Sequence, residues 1–401
     1  MPVSLTRFTN RKTALALILV SLTALGMVAV KPAAASGDFW TSKAPMHTAR
    51  NGLGVAVVDG KIYAIGGSTE SGENALPSGF VGTNEEYDPA TDTWTYKKPM
   101  PTPRSGPAVV AYQGKIYCIG GAIGHNSSGP LLSAVNEVYD TATDTWQTKK
   151  SAPTASAGAT ANVIGDRIFI TGAGPNVNLN EAYDPATDSW NTKSPMLAAT
   201  SFHSAVTIDK KIYFYVTDAY HPKVEIYDTE TDSWSFGSSP SSTMYRGAAG
   251  ATSGAFAPIR IYFMVGGVPI QVYDPMNGDW TSGAAMPTSR MDFAIAVVND
   301  TLYAIGGRIY DYLPIDYPYP GSPGYYPYIV TESAANEQYT PLGYGTPDPS
   351  YQSPSPSPSA SPTPSPEPQQ LDQYPVTWIA AAVPAAVITI GLLIYFKKHR
   401  H

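Results

Sequence analysis

Residues 84–94 read Asn-Glu-Glu-Tyr-Asp-Pro-Ala-Thr-Asp-Thr-Trp. The same stretch returns almost unchanged at 180–190, and at 136–146 with threonine in place of proline. Looser versions end at Trp234 and Trp280. A stretch written several times in one chain indicates a repeat protein, and the period of the repeat identifies its architecture.

The repeat has a period of roughly 50 residues, the length of a propeller blade and longer than an ankyrin or tetratricopeptide unit. Its markers are tryptophans at positions 40, 94, 146, 190, 234 and 280. Between successive tryptophans lies an apolar run that, in four of the repeats, ends in two glycines. These pairs are Gly66-Gly67, Gly120-Gly121, Gly266-Gly267 and Gly306-Gly307. In the fourth repeat, Phe-Tyr-Val-Thr at 214–217 stands where the pair is expected, which puts the geometry of that blade in question.

Each period contains four short segments of β-favouring residues separated by turn residues. In the second repeat these segments are 108–111, 115–119, 134–139 and 145–149. The first two segments of a repeat are joined by dipeptides such as Asp59-Gly60, which favour two-residue hairpins. Four strands per period predict a small antiparallel sheet that is repeated around an axis.

Diglycine, Tyr-Asp and Trp recurring in that order resemble the kelch repeat family, over roughly residues 37–343. The fold expected is all-β, a six-bladed kelch-like β-propeller, because six second-strand segments and six third-strand ends can be counted. The sixth repeat lacks a tryptophan after Tyr339, whereas Trp40 has no third strand ahead of it. We therefore predict that residues 39–43 complete the last blade and close the ring, leaving no open edge. The repeated Tyr and Trp side chains are expected to pack between blades.

The two ends of the chain predict an exported, membrane-anchored protein. A basic start, an apolar run and Ala33-Ala34-Ala35 are typical of a cleaved signal peptide, with an uncleaved anchor as the alternative. A Pro/Ser-rich stretch precedes an apolar span that is followed by Lys397 and Lys398, which places the propeller outside the cell. The predicted divisions are signal peptide 1–35, propeller 36–343, stalk 344–374, transmembrane helix 375–396 and basic cytoplasmic tail 397–401.

Charge and cysteine content exclude several classes of function. Of the 25 Lys and Arg residues, four lie in the leader and three in the tail. The remaining 18 stand against 32 acidic residues in the part of the chain between them. That acidic balance argues against nucleic-acid binding. The single cysteine, Cys118, is expected to be a small buried side chain in a second strand. The Asp-Pro-Ala-Thr-Asp segments lack the ligand spacing of a calcium loop, so neither a metal nor another cofactor is predicted.

Four arginines mark the connections that lead into first strands. They are Arg50, Arg104, Arg246 and Arg290. We expect them around the mouth of the central channel, where the planar guanidinium suits carboxylate groups of a ligand. The alternative is structural: each arginine would bond to carbonyls of a neighbouring blade or to the repeated glutamate.

The longest and least repetitive segments follow second strands, at 68–83, 122–133 and 308–332. Loops that break the period on one face usually carry the binding surface of a repeat protein. The third segment contributes the candidate ligand-binding residues Tyr310, Tyr312, Tyr317, Tyr319, Tyr325, Tyr326 and Tyr328. Tyrosine offers rigid amphipathic contact area. The alternative is a lid that covers the last blade.

Two sequons, at Asn126 and Asn299, are candidates for glycosylation outside the cell. Asn299 also stands in a first hairpin turn, where asparagine is common for backbone reasons.

These features predict a cell-surface binding or adhesion module that recognises an extracellular protein or glycan through its long-loop face. One alternative is an extracellular carbohydrate-active enzyme, similar to the sialic acid mutarotases among kelch propellers, working in the channel. A deep polar pocket with a carboxylate near Arg50 or Arg290 would favour it. A second alternative is an architectural protein of the cell envelope. The sequence contains no nucleophile elbow, zinc pair or phosphate loop, so we do not expect an enzyme, and the oligomeric state stays open.

Overall fold

The computed structural model describes residues 37–69, 79–173, 177–198, 204–218, 221–240, 246–312 and 328–351. Within these ranges the secondary structure is β, arranged as six four-stranded antiparallel sheets and two two-stranded hairpins. The first strands of successive sheets contact one another in a complete ring. The prediction of an all-β, six-bladed propeller is therefore confirmed.

The six sheets are the blades of the propeller. Their strands run in chain order from the axis outward, except that the outer strand of blade 6 is the N-terminal β1. Blade 1 contains β2 (Gly54–Val58), β3 (Lys61–Ile65), β4 (Asn84–Asp88) and β5 (Thr93–Lys97). Blade 2 contains β6 (Ala108–Tyr112), β7 (Lys115–Ile119), β10 (Asn136–Asp140) and β11 (Thr145–Lys149). Blade 3 contains β12 (Thr160–Ile164), β13 (Arg167–Ala173), β14 (Val177–Asp184) and β15 (Ser189–Thr192).

The second half of the ring repeats this order. Blade 4 contains β16 (Ser204–Ile208), β17 (Lys211–Asp218), β18 (His221–Asp228) and β19 (Ser233–Phe236). Blade 5 contains β20 (Ala248–Ala251), β21 (Ile261–Met264), β22 (Ile270–Tyr273) and β23 (Trp280–Gly283). Blade 6 contains β24 (Ala294–Val298), β25 (Thr301–Ile305), β28 (Asn336–Thr340) and β1 (Phe39–Lys43). The hairpins are β8 (Ala122–Asn126) with β9 (Gly129–Leu132), and β26 (Arg308–Tyr312) with β27 (Tyr328–Glu332).

The N-terminal strand closes the ring as the unpaired Trp40 predicts. β1 lies antiparallel to β28 along its whole length, with Trp40 opposite Tyr339. This is the register of Trp94 opposite Tyr87 in blade 1. The last blade therefore has the same four strands as the others, although its outer strand comes from the other end of the domain.

The repeated Tyr, Asp and Trp form a latch between adjacent blades. The Tyr87 hydroxyl donates to Asp92 Oδ1 at 2.6 Å, and the same oxygen accepts the Ala44 N–H at 2.9 Å. The Trp94 indole N–H donates to the Ala44 carbonyl oxygen at 2.8 Å. One motif thus fixes both backbone groups of a residue in the preceding blade. The latch recurs as Tyr139, Asp144, Trp146 on Lys98; Tyr183, Asp188, Trp190 on Lys150; Tyr227, Asp232, Trp234 on Ser194; and Tyr339, Asp38, Trp40 on Ala284.

Acid should weaken these latches. The donated tyrosine hydroxyl, more than any other contact, lowers the pKa of Asp92, Asp144 and Asp188 below the usual aspartate range. A depressed folded pKa contributes stability above the unfolded value, near ~3.9, that is lost as pH falls through the lower folded value. We expect Tm to be level above about pH 5 and to fall below about pH 4. Thermal melts of an Asp144→Asn variant should fall less steeply with acid than wild type, and an equal slope would contradict this assignment.

The diglycines allow neighbouring blades to approach closely. Gly66 and Gly67 have φ of 69° and 105°. A Cβ on Gly66 would lie 2.8 Å from the Arg104 carbonyl oxygen, and one on Gly67 would lie 2.7 Å from that of Asn51. The Gly67 N–H donates to the Arg104 carbonyl at 3.0 Å. Glycine is required here both for its backbone conformation and for the space.

Blade 4 keeps its geometry without a diglycine. Its second and third strands simply continue, so that β17 pairs with β18 from Lys211↔Asp228 to Asp218↔His221. Tyr215 and Val216 are fully buried within this longer hairpin. Continued strand pairing replaces the glycine bend, and the concern raised by the sequence at 214–217 does not materialise.

The chain remains part of the propeller unit as far as Tyr351, beyond the division predicted at 343. The Gly345 N–H donates to the Phe256 carbonyl at 2.7 Å, and the Asp348 N–H donates to that of Gly254 at 2.8 Å. The Phe256 and Tyr344 rings are stacked. The predicted signal peptide, transmembrane helix, basic tail and remaining stalk lie outside the described residues. Among the residues described, there is no helix with the length and apolarity needed to cross a membrane.

Candidate binding face

The long segments after second strands lie at one end of the sheets, which we call the loop face. Isolated bridges tie each segment to the connection entering the same blade, at Asn51↔Ser68, Ser105↔Ala122 and Met291↔Arg308. Hairpin β8–β9 projects from blade 2 and hairpin β26–β27 from blade 6. The sequence predicts that these loops share one face. The topology agrees with that prediction, because each loop leaves the same end of a second strand.

Three of the four predicted arginines are structural. Arg50, Arg104 and Arg290 are 0%, 0% and 1% exposed. The Arg104 Nη1 donates to Glu137 Oε2 at 2.6 Å and to the Thr102 carbonyl at 3.0 Å, while Nη2 donates to the Cys118 carbonyl at 2.8 Å. Arg50 and Arg290 repeat this arrangement with Glu85 and Glu337. The prediction that these three arginines line the channel mouth is wrong. Their guanidinium groups are buried inside the blades and bonded to glutamates there.

Burial also determines the electrostatics of these pairs. Removal from water lowers the pKa of Arg50 and Arg290, and their glutamate partners oppose that shift. Arginine stays protonated throughout the physiological range because its intrinsic pKa is above 12. Each pair is therefore a buried ion pair that holds the third strand to the connection entering the blade.

Arg246 occupies a different position from the other three. Its carbonyl accepts the Asp292 N–H, and the Asp292 carbonyl accepts the Gly52 N–H, both at 3.0 Å. These bonds belong to a series that continues through Gly106 and Gly158 and links successive connections near the axis. Arg246 has φ of 55°, close to the 60° of Gly52. It is thus equivalent to Gly52, two residues away from the position of Arg50.

This shift places Arg246 in a charged cluster on the loop face between blades 5 and 6. Arg246 Nε donates to Asp292 Oδ1 at 2.8 Å, and Arg308 Nε lies 2.5 Å from Asp292 Oδ2. The second contact is an ion pair without the alignment of a hydrogen bond. The Arg308 guanidinium also lies over the Tyr310 ring, 5.4 Å from its centroid. The two arginines share Asp292, and Glu332 lies opposite Arg308 in hairpin β26–β27. A planar guanidinium group suits an acidic group of a ligand.

Of the seven candidate tyrosines, Tyr310 is the one with a described side chain. Tyr312 and Tyr328 pair through their backbones at the end of hairpin β26–β27. Their side chains, together with Tyr317, Tyr319, Tyr325 and Tyr326, lie outside the described residues.

Exposed apolar side chains accompany the charged cluster on the loop face. Ile123, Leu131 and Leu132 lie on hairpin β8–β9, and Ile329 lies on β27. Each exposes two fifths or more of its surface, as do some side chains of the outer blade strands, such as Tyr96. Exposed apolar groups near polar ones are common on surfaces that bind other proteins.

The central channel is apolar. A cavity of about 420 Å³ lies along the first strands, lined mainly by valines, such as Val55 and Val109, by alanines and by Ile295. Thr160 is the one hydroxyl-bearing residue of that described lining, which contains no ionisable side chain. Glu85 and Glu337 do reach Arg50 and Arg290, but within closed ion pairs. The geometry that would favour a channel enzyme is not found among the described residues.

The remaining candidates lie apart from the charged cluster. Cys118 is fully buried in β7, where burial raises the pKa of its thiol to about 12, as expected for a packing residue. Asn126 is exposed at the end of β8 on the loop face. Asn299 is exposed in the β24–β25 turn with φ of 50°, which accounts for asparagine there without glycosylation. The described residues contain no group of three or more His, Cys, Asp or Glu side chains arranged to hold a metal.

Sequence reasoning did not single out Arg308 or Asp292. Arg308 follows a diglycine, at the position of Ser68 and Ala122, and Asp292 stands where other repeats have glycine. Both sites could have been found in the sequence, because a charged residue stands where the equivalent residues of other repeats are small. Asp292 also has a positive φ, at 53°, which aspartate tolerates better than most residues do.

Comparison with known proteins is consistent with this architecture. A family model described as "Kelch motif" matches residues 49–101 and 103–151. Beta-scruin of Limulus polyphemus is 36% identical over 140 residues, which cover 34% of this chain and 14% of that protein. Kelch-like protein 36 of Bos taurus is 33% identical over 126 residues, covering 31% and 20%. The alignments thus span no more than a fifth of either relative.

A solved structure, "Structure of YjhT", has a TM-score of 0.51 at 16% identity and covers 66% of this chain and 92% of that one. At that identity the likeness supports the fold alone. The kelch model matches two of the six repeats, and the closed six-bladed propeller supports the same resemblance to the kelch-repeat family.

Proposed function

We propose that this protein is a membrane-anchored, cell-surface binding module that recognises an extracellular protein or glycan through its loop face. Binding is what kelch-repeat propellers typically do. The observation that carries the proposal is the Arg246–Asp292–Arg308 cluster on that face, next to hairpin β26–β27 and its exposed Ile329. Guanidinium groups beside an exposed apolar side chain fit a partner that presents an acidic group.

The path of the C-terminal segment supports this choice of face. Residues 344–351 lie against the β20–β21 connection, which joins a first strand to a second. That end of the sheets is opposite the loop face, because the long segments leave the far ends of the second strands. Residues 344–351 therefore lie at the end of the propeller away from the loop face. The anchor itself rests on the sequence of residues 375–396 and the export on residues 1–35.

The test is a binding assay on an array of glycans and cell-envelope fractions, using residues 36–351. The variant to compare is Arg246→Gly with Arg308→Gln. Glycine fits the positive φ at 246 without strain, so folding should be kept. Charge-assisted hydrogen bonds contribute about 1.5–3 kcal/mol each, so we expect binding to weaken by roughly tenfold or more.

The matched control is Lys210→Gln, which removes a positive charge from the β16–β17 turn at the opposite end of the sheets. It should bind like wild type. Full binding by the Arg246/Arg308 variant, with an unchanged melting curve, would move recognition away from this cluster. The absence of any ligand in wild type would favour an architectural role in the envelope.

A further inference from the structure

Blade 3 contains a buried carboxylate, Glu181, whose counterparts in blades 1, 2 and 6 each face an arginine. In blade 2, the Thr102 hydroxyl donates to Glu137 Oε1 at 2.8 Å and Arg104 donates to Oε2. In blade 3, the Thr154 hydroxyl donates to Glu181 Oε1 at 2.7 Å, so the carboxylate is held in the same way. Its Oε2 is buried and has no hydrogen-bond partner among the described residues.

Serine stands where the arginine of blades 1, 2 and 6 stands. The Gly67 N–H donates to the Arg104 carbonyl, and the Gly307 N–H to the Arg50 carbonyl. The corresponding Gly121 N–H donates to the Ser156 carbonyl at 2.7 Å. Ser156 therefore has the backbone placement of those arginines with a side chain too short to reach Glu181.

The other acceptors of a guanidinium are also repeated in blade 3. Arg104 donates to the carbonyls of Thr102 and Cys118, and Cys118 lies opposite Glu137 in the sheet. In blade 3 these positions belong to Thr154 and Ile170, and Ile170 lies opposite Glu181. The set of oxygens that surrounds a guanidinium elsewhere is thus present, with only the arginine replaced.

A carboxylate in this position is costly without a cation. Glu181 is 3% exposed, and burial raises its pKa. Buried charges in proteins are normally paired, because removal from water without a partner is unfavourable. Glu85, Glu137 and Glu337 meet this requirement through arginines of the same chain.

We propose that the position bounded by Thr154, Ser156, Ile170 and Glu181 binds a guanidinium group that comes from outside the chain. The group has two sources, a small guanidinium compound or an arginine side chain of a protein partner. It would occupy the place that the arginine occupies in blades 1, 2 and 6. The site lies in blade 3 and uses none of the residues of the Arg246–Asp292–Arg308 cluster.

The test measures Tm of the full-length protein in detergent with ethylguanidinium, ethylammonium or sodium chloride at equal ionic strength. We expect ethylguanidinium at millimolar concentration to raise Tm by about 2 °C more than either control. Glu181→Gln should abolish this difference. Ser156→Arg should raise Tm without ligand and also abolish the difference, because the site is then filled from within.

Asp166→Asn is the matched control, since it removes an exposed carboxylate from the same blade and should leave the response intact. A glycine-flanked arginine peptide and its lysine counterpart distinguish the sources. A shift with the arginine peptide indicates a partner side chain, and a shift with ethylguanidinium alone indicates a small ligand. Equal shifts with all three salts, or a response that persists in Glu181→Gln or Ser156→Arg, would overturn the proposal.

Discussion

Removal of residues 36–45 should abolish the cooperative unfolding transition of the propeller. The deletion takes away β1, and with it Asp38 and Trp40, the latch between blades 5 and 6. β28 then becomes an open edge, and Tyr339 loses its acceptor at Asp38. Because the blades are stabilised by contact with both neighbours around a ring, opening one junction exposes two blade faces at once. Differential scanning calorimetry of the protein beginning at residue 36 and at residue 46 makes the comparison.

A peptide of residues 36–46 added in trans provides the control. It should restore a single transition to the shortened protein, since a missing edge strand can be supplied by a separate chain. The same peptide with Trp40→Ala should restore it less well, because the indole N–H to Ala284 is lost. An unchanged melting transition after the deletion would show that closure by β1 is not needed for folding.

Arg104→Ala should destabilise the protein by about 3–5 kcal/mol, the usual cost of leaving one member of a buried ion pair without its partner. Glu137 would keep the Thr102 hydroxyl but lose the guanidinium, inside a site that is closed to water. The carbonyls of Thr102 and Cys118 would each lose a donor as well. Urea denaturation of the single variant against wild type measures the loss.

A double variant separates the charge from the packing. Arg104→Met with Glu137→Gln removes both charges and retains volume and a hydrogen-bond acceptor. It should recover at least half of the stability lost in Arg104→Ala, because no buried charge is left unpaired. Lys210→Ala, which breaks the exposed pair with Glu230, should change little. If Arg104→Ala unfolds like wild type, the arginine is not a structural member of the blade.

The blades could be predicted from the sequence because most of them make the same hydrogen bonds to the blade before them. Asp92 and Trp94 bond to the backbone of Ala44 in the preceding blade, Tyr87 bonds to Asp92, and this arrangement recurs at five of the six junctions. A contact that is repeated in space leaves a pattern that is repeated in the sequence. The closure was predictable for the same reason, since Trp40 is a latch residue with no third strand in its own repeat.

The charged cluster was only half predictable because it occurs once. Arg246 was grouped with Arg50 by its distance from the next strand, and β20 begins at Ala248, two residues after it. The segment that leads into β20 contains no repeated motif, so the sequence does not show which of its residues is equivalent to Arg50. Blade 5 did hold a clue, since Gln271 stands in its third strand where the other blades have glutamate, the residue that pairs with arginine in blades 1, 2 and 6.

The buried arginines show the converse. The sequence makes Arg50, Arg104 and Arg290 candidates for ligand binding because they are charged and recur at the same position of the repeat. A residue with a structural role recurs at the same position of each repeat. A ligand that contacts one side of the ring does not require such recurrence. The glutamates of the repeated Asn-Glu-x-Tyr-Asp motif were the partners, and their place in an otherwise structural motif was the signal.

The closure by β1 imposes an order on how the protein can be made. Asp38 and Tyr339, which meet in the finished ring, are 301 residues apart in the chain. At a synthesis rate of ~5–20 residues per second, the first strand must wait roughly 15–60 seconds for the partner it pairs with. Throughout that interval its backbone donors and acceptors are unpaired, and Phe39 and Trp40 are available to any exposed strand edge nearby. A nascent chain of this protein therefore depends on its first strand remaining unpaired until nearly all of the propeller has emerged.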